Sequence, residues 1–241
     1  MFAVEVRELT KKYKGKTAVE GISLQIREGE LFSLLGVNGA GKTTTVKMLC
    51  CLTEADGGEA FVMGKSCSRE KEAVKELIGI SPQETSVAEK LTVRENLQLI
   101  AEISGFDKDK CTARVEQIIS QLGLDEVAGS LAKTLSGGWK RKLSIAMSLI
   151  SEPKVLFLDE PTLGLDVLAR RELWRVIEGL KGRVTVILTT HYMEEAEQLS
   201  DCIAVMVSGR IKALGTLSEL EALTGKTGLE NAFVAIAEGS V

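Results

Sequence analysis

A glycine-rich segment between a strand-like run and a helix-like run constrains the fold of this chain most tightly. Residues 30–35 (ELFSLL) have the apolar character of a buried strand, and residues 43–51 continue as a helix. Between them, Gly36, Gly39 and Gly41 let the backbone bend so that successive N–H groups converge on one point. The sequence therefore predicts a loop that wraps an anion at the positive end of a helix.

The side chains of this loop indicate that the anion is the phosphate chain of a nucleotide. Lys42 is placed to reach the β- and γ-phosphates, and the Thr43 hydroxyl is placed to hold Mg²⁺. The alternative is a chance glycine-rich turn, which the strand and helix on either side make the weaker interpretation. The loop residues predicted to contact the nucleotide are Gly36, Asn38, Gly39, Ala40, Gly41, Lys42, Thr43 and Thr44.

Composition restricts the partners that the chain can have. Its 30 Lys and Arg residues are balanced by 34 Asp and Glu residues, so general attraction to nucleic acid or anionic lipid is not expected. The five cysteines include no CxxC pair and the chain has one histidine, which argues against zinc and for reduced thiols. The apolar runs are far too short to cross a bilayer, so a function at a membrane requires another chain to provide the span.

Hydrophobic patterns divide the chain into a core and an inserted helical part. A capping box at Thr92 and Glu95 begins a helical stretch that runs from about residue 91 to 150. The strands that follow it alternate with helices, which predicts a mostly parallel sheet in α/β order. Strand-like runs lie at 3–9, 21–26, 30–35, 59–63, 155–158, 184–189 and 203–207, and helices are predicted at 109–122, 139–150 and 229–238. A second capping box is predicted at Thr216 and Glu219. We therefore predict an α/β fold with a small antiparallel β subdomain and an inserted helical subdomain.

Two carboxylates follow a buried strand near the middle of the chain. The apolar run 155–158 ends at Asp159 and Glu160, at the edge where α/β sheets bind ligands. Asp159 suits a Mg²⁺ contact, and Glu160 suits a general base that orients an attacking water. Strands often end in solvated acids, so the acidic pair alone is a weak indication of a site. Together with the phosphate loop it indicates a nucleotide-hydrolysing site.

A second anion-binding helix start is predicted at Leu135-Ser136-Gly137-Gly138. Ser136 can cap the helix and also donate its hydroxyl to a phosphate. The two phosphate-binding ends lie about a hundred residues apart in sequence, and they need not meet in one subunit. The alternative is an ordinary capped helix with a solvated face formed by Lys140, Arg141 and Lys142.

With these motifs in this order, the chain resembles the nucleotide-binding domains of the ATP-binding cassette (ABC) family over essentially its whole length. The resemblance implies a P-loop NTPase core and a single domain at 1–241, with its core at 1–82 and 154–241 and a helical subdomain at about 84–152. It assigns Gly36 to Thr44 to the Walker A loop, Asp159 and Glu160 to Walker B, Leu135 to Gly138 to the signature, Tyr13 to adenine stacking, Gln83 to the hinge glutamine, Leu165 and Asp166 to the D-loop and His191 to the switch histidine.

The resemblance also implies a division of labour among these residues, with ATP and Mg²⁺ as cofactors. Four of these residues also have a simpler interpretation. Tyr13 could be a strand tyrosine and Gln83 a loop amide, and His191 and Asp166 could each cap a helix. The implied catalytic set is Glu160, His191, Gln83 and Lys42, the metal ligands are Thr43, Gln83 and Asp159, and Ser136 and Gly138 join Tyr13 and the Walker A loop in contacting the nucleotide.

Three segments, TLSGGWKRKLSIAMSL, HYMEEAE and GLENAF, are more specifically similar to ATPase subunits of exporters for drugs, sodium ions or lipids. This similarity implies a chain at the cytoplasmic face of a membrane that pairs head to tail with a second ATPase subunit. It would power export by a separate multi-span permease chain, without nucleic acid and without a membrane span of its own. The alternatives are an ABC-type ATPase that acts on ribosomes or DNA, and a different P-loop enzyme such as a kinase or GTPase.

Two positions depart from the commonest pattern of the family. Trp139 stands where glutamine or methionine is more usual, and Leu163 stands where serine or threonine is frequent. We expect activity to be retained because Ser136 and Gly138 are intact.

Overall fold

The computed structural model describes residues 1–239, so the last two residues of the assigned domain lie outside the described part. Its strands are β1 (Phe2–Tyr13), β2 (Lys16–Arg27), β3 (Leu31–Leu35), β4 (Gly57–Val62), β5 (Lys65–Ser66), β6 (Ile78–Ser81), β7 (Val155–Asp159), β8 (Thr185–Thr190), β9 (Cys202–Val207) and β10 (Arg210–Gly215). Its helices are α1 (Lys42–Leu49), α2 (Lys71–Lys75), α3 (Val93–Ile103), α4 (Lys108–Gln121), α5 (Gly137–Leu149), α6 (Val167–Glu178), α7 (Met193–Leu199), α8 (Leu217–Thr224) and α9 (Leu229–Glu238).

Two sheets confirm the predicted fold class. The larger sheet has the order β10-β9-β3-β8-β7-β6, and only the β10–β9 pair is antiparallel. The smaller sheet, β2-β1-β4-β5, is antiparallel throughout. Because β3, β8, β7 and β6 are parallel neighbours, the loops that follow them emerge at one edge. The phosphate loop, His191, Asp159 and Gln83 are thereby brought to the same end of the sheet.

The side chains of the central strands alternate between two cores. In β7, Leu156 and Leu158 pack against the helices on one face. Val155 and Phe157 face the other way, toward the antiparallel sheet and α1. A strand that is buried on both faces needs a continuous apolar run, which is the pattern that identified β7 in the sequence.

The chain between β6 and β7 is helical, as its pattern predicts. The capping box at Thr92 and Glu95 is present at the start of α3, and Asp107 caps α4. Ser136 caps α5 by accepting a hydrogen bond from the Trp139 amide at 3.5 Å. The subdomain boundaries at 84 and 152 stay a prediction. Within residues 1–239, each helix is too short or too polar to serve as a transmembrane span.

Four elements were not predicted: β5, β6, α2 and β10. β6 is only four residues long and contains Gly79, where a Cβ would lie 2.2 Å from the Ser148 carbonyl oxygen. The glycine that weakens the strand pattern is therefore what permits α5 to approach the sheet. β10 is an edge strand that carries Arg210 and Lys212, so its apolar signal is diluted by charge.

Candidate functional site

A cavity of about 490 Å³ opens at the edge of the sheet beyond β3, β7 and β8. It gathers residues from the phosphate loop, the loop after β6, the end of β7 and the end of β8. Its walls are formed by Lys16, Ala18, Asn38, Gly39, Gly41, Lys42, Thr43, Thr44, Gln83, Glu160, Leu163 and His191. Residues that are far apart in sequence therefore meet at one polar site.

The phosphate loop needs its glycines for two different reasons. Gly39 and Gly41 have φ angles of +81° and +110°, which side-chain-bearing residues rarely adopt. At Gly36, a Cβ would lie 2.3 Å from the carbonyl oxygen of Met206, so the requirement there is space. Together they hold the loop in a tight bend above the start of α1.

Lys42 is nearly buried and its ammonium group is held by the loop itself. Its Nζ donates to the carbonyl oxygens of Gly36 at 2.7 Å and Val37 at 3.3 Å. The same Nζ lies 3.4 Å from Glu160 Oε1. A positive charge is thus fixed at the centre of the loop, next to the carboxylate at the end of β7.

Thr43 and Asp159 form an oxygen-rich pair that suits Mg²⁺. The Thr43 hydroxyl donates to Asp159 Oδ1 at 3.2 Å, and the Thr189 hydroxyl donates to the same oxygen. Hydroxyl and carboxylate oxygens are the protein ligands that Mg²⁺ prefers, usually alongside phosphate oxygens and water. In the described residues no cluster of three or more His, Cys, Asp or Glu side chains could hold a metal ion. One hydroxyl and one carboxylate supply only part of an octahedral shell, so this donor pair suits an ion whose other ligands are phosphate oxygens and water.

Glu160 is held in a strained backbone conformation beside His191. Its φ angle is +46°, and its amide donates both to the Thr189 carbonyl and to the Thr189 hydroxyl, each at 3.1 Å. Its Oε2 lies 3.2 Å from His191 Nδ1. A non-glycine residue at positive φ costs about 1–3 kcal/mol and persists where its surroundings enforce it, typically at a functional site.

Five residues with a predicted nucleotide role do not line this cavity, and neither does Asp159, a predicted metal ligand. Gly36 and Ala40 belong to the phosphate loop but are buried behind its surface. Tyr13 ends β1 opposite Lys16, which lines the cavity, but Tyr13 itself is 45% exposed and lies outside the wall. Ser136 and Gly138 line a separate hollow of about 50 Å³ at the start of α5, together with residues of α6. The two helix starts that were predicted to bind phosphate therefore do not line one common cavity in this chain.

The structure shows where Asp166, Trp139 and His191 lie relative to the helices next to them. Asp166 caps α6 by accepting hydrogen bonds from the Leu168 and Ala169 amides. Trp139 packs against the helical core under the Lys142 ammonium, which lies 4.3 Å from the ring centroid. The N-cap position of α7 is held by Tyr192, so the reading of His191 as a helix cap is wrong.

One expectation about the helix α5 is corrected. The alternative reading placed Lys140, Arg141 and Lys142 on a solvated face, but Arg141 is only 4% exposed. It lies on the buried stripe of α5, three and four residues before the buried Ser144 and Ile145. The helical spacing from Ser144 and Ile145 predicts a buried position for Arg141, but the charge of the side chain favoured the interpretation as a solvated residue.

Two buried polar residues outside the cavity wall were not identified from sequence, and neither were Lys16 and Ala18 in the wall itself. Thr189 links Asp159 to Glu160, and it was read only as part of an apolar strand. Glu195, in α7, is fully buried, and its Oε1 accepts hydrogen bonds from the Thr162 hydroxyl at 2.8 Å and the Trp174 indole at 3.2 Å. Burial raises the pKa of this carboxyl above its usual value.

Comparisons with known proteins agree with this geometry. A sequence profile described as ABC transporter matches residues 19–163. The daunorubicin/doxorubicin resistance ATP-binding protein DrrA of Streptomyces peucetius is 42% identical over 224 residues, which are 92% of this chain and 68% of that protein. The phospholipid-transporting ATPase ABCA3 of Homo sapiens is 38% identical over 88% of this chain and 13% of that protein.

A similar solved structure is described as the ATP binding subunit of an ABC transporter. It superposes with a TM-score of 0.86 at 29% identity, and the match covers 97% of this chain and 99% of that one. The chain thus spans nearly all of this solved subunit but only part of either relative above.

Proposed function

Because the chain belongs to the ABC transporter family, we propose that it is the ATP-hydrolysing subunit of an exporter, which pairs head to tail with a second ATPase subunit. As a member of this family it is an ATPase. The finer parts of the proposal are the site residues, the shared arrangement of the two subunits, the membrane partner and the direction of transport.

One observation carries the proposal of a shared site. Lys42, Thr43 and Glu160 surround one cavity, whereas Ser136 and Gly138 lie at a separate, exposed helix start. A head-to-tail pair related by a two-fold axis brings the Ser136 end of each subunit over the Lys42 cavity of the other. Each of two identical sites is then completed by a second chain, and the nucleotide itself becomes part of the interface.

The surface beside the cavity also supports a second subunit. Val37 in the phosphate loop and Leu163, Val167 and Leu168 around the D-loop are large apolar residues exposed to solvent, Leu168 to 75%. They lie near Asp166, to which the family resemblance gives an intersubunit contact. Burying these side chains removes apolar surface from water and favours association.

In the proposed mechanism, the phosphate loop binds ATP and the edge of the sheet positions the attacking water. Lys42 and the loop amides bind the β- and γ-phosphates. Glu160 orients a water molecule and accepts its proton, while His191 holds the water and the γ-phosphate in line. Hydrolysis yields ADP and phosphate, and it removes the γ-phosphate contact that favours the closed pair.

Thr43, Gln83 and Asp159 would hold Mg²⁺ in this mechanism. When it is bound, Mg²⁺ neutralises charge on the phosphate oxygens. Asp159 is nearly buried and Thr189 fixes its orientation, whereas Gln83 is exposed in the loop after β6. The proposed metal site is therefore complete only when the loop that carries Gln83 is in place.

The proposal of a membrane partner rests on the relatives and on a groove of mixed polarity. DrrA is named for drug resistance and ABCA3 for phospholipid transport. The groove, of about 290 Å³, runs between β6 and the helices and is lined by Pro82, next to Gln83, and by Ile100 of α3. About one helical turn beyond Ile100, α3 exposes Ile103 to 73%. We propose that this groove receives a short helix of a multi-span permease chain, which would hold this subunit at the cytoplasmic face of the membrane.

Glu160→Gln tests the catalytic assignment. The amide cannot accept a proton, so turnover should fall by about 10²–10⁴-fold while ATP affinity is retained. Lys42→Ala should instead weaken ATP binding itself. ATP hydrolysis and the binding of a fluorescent ATP analogue separate the two effects. Undiminished turnover in Glu160→Gln would remove Glu160 from the role of general base.

The membrane partner is tested by recovering tagged Glu160→Gln protein from detergent-solubilised native membranes with ATP and Mg²⁺ present. A stoichiometric multi-span membrane protein should copurify, and Ile103→Asp should abolish its recovery. Leu223→Asp is the matched control, because Leu223 is 53% exposed on α8. Recovery of ribosomal proteins or DNA in place of a membrane protein would favour the alternative of an ABC-type ATPase that acts on those partners.

A further inference from the structure

Arg141 is a buried cation whose hydrogen-bond partners are four backbone carbonyl groups in two separate segments, the Gln83 loop and the turn 159–161. Its Nε donates to the Pro161 carbonyl at 2.8 Å, and its Nη2 donates to the Asp159 carbonyl at 2.7 Å. Its Nη1 donates to the carbonyls of Pro82 and Gln83, the latter at 3.2 Å. The guanidinium of a signature helix thus joins the Gln83 loop to the end of β7 and the turn that follows it.

This arrangement uses the chemistry that distinguishes arginine from lysine. The planar guanidinium has five N–H donors in a rigid fork, so one side chain can hold several acceptors in fixed directions. Burial lowers the pKa of Arg141 to about 10, and the charge is still retained at neutral pH. An apolar side chain of similar size would fill the space but would remove the donor that these four carbonyl groups share.

The two segments carry residues on which the proposed hydrolysis depends. Asp159 and Glu160 lie on either side of the peptide group that Arg141 binds, and Pro161 follows them. The carbonyl of Gln83 is bound directly, while its side chain extends from the same loop toward the cavity. A shift of Arg141 would therefore move metal-binding and water-orienting residues together, whereas Lys42 is held by its own loop.

We propose that Arg141 is a positioning residue for ATP hydrolysis, which fixes the Gln83 loop against the Asp159–Pro161 turn without touching the nucleotide. This inference rests on the proposed function, because the segments it aligns are those of the proposed catalytic site. It assigns to the signature helix a role inside its own subunit, besides the contact of Ser136 with the nucleotide of a second one.

Arg141→Lys tests the proposal, since it keeps the charge but cannot reproduce the fork of donors that joins the two segments. We expect kcat to fall by about 10–100-fold, because small misplacements of catalytic groups have effects of that size. The Kd of a fluorescent ATP analogue should change by less than about 3-fold, since a mutation that acts on hydrolysis alone lowers kcat without weakening ground-state binding. The apparent affinity for Mg²⁺ should fall together with kcat.

Arg114→Lys is the matched control. Arg114 is also partly buried, and it donates to the carbonyls of Leu149 and Ile150 at the other end of α5, at 2.5 and 3.1 Å. It should lose a similar amount of thermal stability and keep its kcat. An Arg141→Lys variant that melts lower but hydrolyses ATP at the wild-type rate would overturn the proposal. So would a loss of nucleotide affinity equal to the loss of kcat.

A measurement on the arginine side chains covers the case in which Arg141→Lys does not fold. In protein labelled with ¹⁵N-arginine, the Nε–H signal of Arg141 should exchange slowly with water, with and without ATP and Mg²⁺. The signal that Arg141→Ala removes in a spectrum of the protein identifies Arg141, and Arg114→Lys and Arg170→Lys identify the signals of two partly buried arginines with which it could be confused. The absence of a slowly exchanging Arg141 signal would overturn the proposal. A wild-type protein that does not hydrolyse ATP would instead refute the proposed function.

Discussion

Replacing Gly41 by alanine should destabilise the chain far more than the same change at Gly39, although both glycines lie in the phosphate loop at positive φ. At Gly41 the new Cβ would lie 2.4 Å from the Ala18 carbonyl oxygen and 2.7 Å from the Met206 methyl group. At Gly39 no atom lies within 4 Å of the corresponding position. Both variants therefore place an alanine at positive φ, but only Gly41→Ala also brings its Cβ into steric conflict with neighbouring atoms.

The magnitudes follow from these contacts. A left-handed conformation costs an L-residue about 1–2 kcal/mol, which applies to both variants. Overpacking against fixed backbone adds about 1–3 kcal/mol, which applies to Gly41→Ala alone. For a domain of this size, 1 kcal/mol shifts the melting temperature by about 2–4 °C. Gly41→Ala should therefore melt about 2–12 °C below Gly39→Ala.

Thermal unfolding followed by circular dichroism, without nucleotide, measures this difference directly. Binding of a fluorescent ATP analogue should also be weaker in Gly41→Ala, because Lys42 and Thr43 follow the displaced residue. Equal melting temperatures for the two variants would refute the reasoning, since the close approach of β2 and β9 to the loop would then have no energetic consequence.

Three further predictions concern buried polar groups around the site. Thr189→Val removes a donor to Asp159 and an acceptor for the Glu160 amide, so the variant should lose about 1–3 kcal/mol of stability in chemical denaturation. An unchanged midpoint would mean that water replaces the hydroxyl. Burial raises the pKa of the Glu195 carboxyl in the folded protein above its value in the unfolded chain. The protonated carboxyl therefore contributes to folding stability below the pKa of the unfolded chain, and this contribution is lost as the pH rises through the pKa of the folded protein. The stability of the wild type relative to Glu195→Gln should therefore increase as the pH is lowered toward the pKa of an unfolded glutamate, and a constant difference would contradict this assignment. Burial raises the pKa of Cys67 to about 12. Its alkylation at about pH 8, followed by peptide mass spectrometry, should be on the order of 10³-fold slower than that of a free thiol, and labelling at the rate of unfolded protein would contradict the burial.

The sequence predicts the fold well where local patterns and tertiary packing agree. The apolar run of β7 is buried on both faces, and the capping boxes at Thr92 and Thr216 begin α3 and α8 as expected. β6 and β10 are missed because glycine or charge, each required by the packing around the strand, weakens their pattern. The residues around Gly79 in sequence give no indication that α5, which is distant in sequence, packs closely against this glycine.

The candidate site is predictable where a motif fixes the spacing of its residues. The phosphate loop and the acidic pair have such a spacing, and the structure brings Lys42, Thr43 and Glu160 to one cavity. Arg141 and Glu195 could not be assigned in this way, because their partners lie at least 18 residues away in sequence. A charged residue at a buried position becomes informative only when its acceptors are known.

The division of the site between two chains is tested most directly by mixing two inactive variants. Lys42→Ala should disable the phosphate loop, and Ser136→Arg should disable the signature end, so each variant alone should be inactive. In a head-to-tail pair, a mixed dimer retains one intact site, so an equal mixture should recover about a quarter of the wild-type ATPase rate. No recovery on mixing, or full activity of Ser136→Arg alone, would contradict a site that two subunits share.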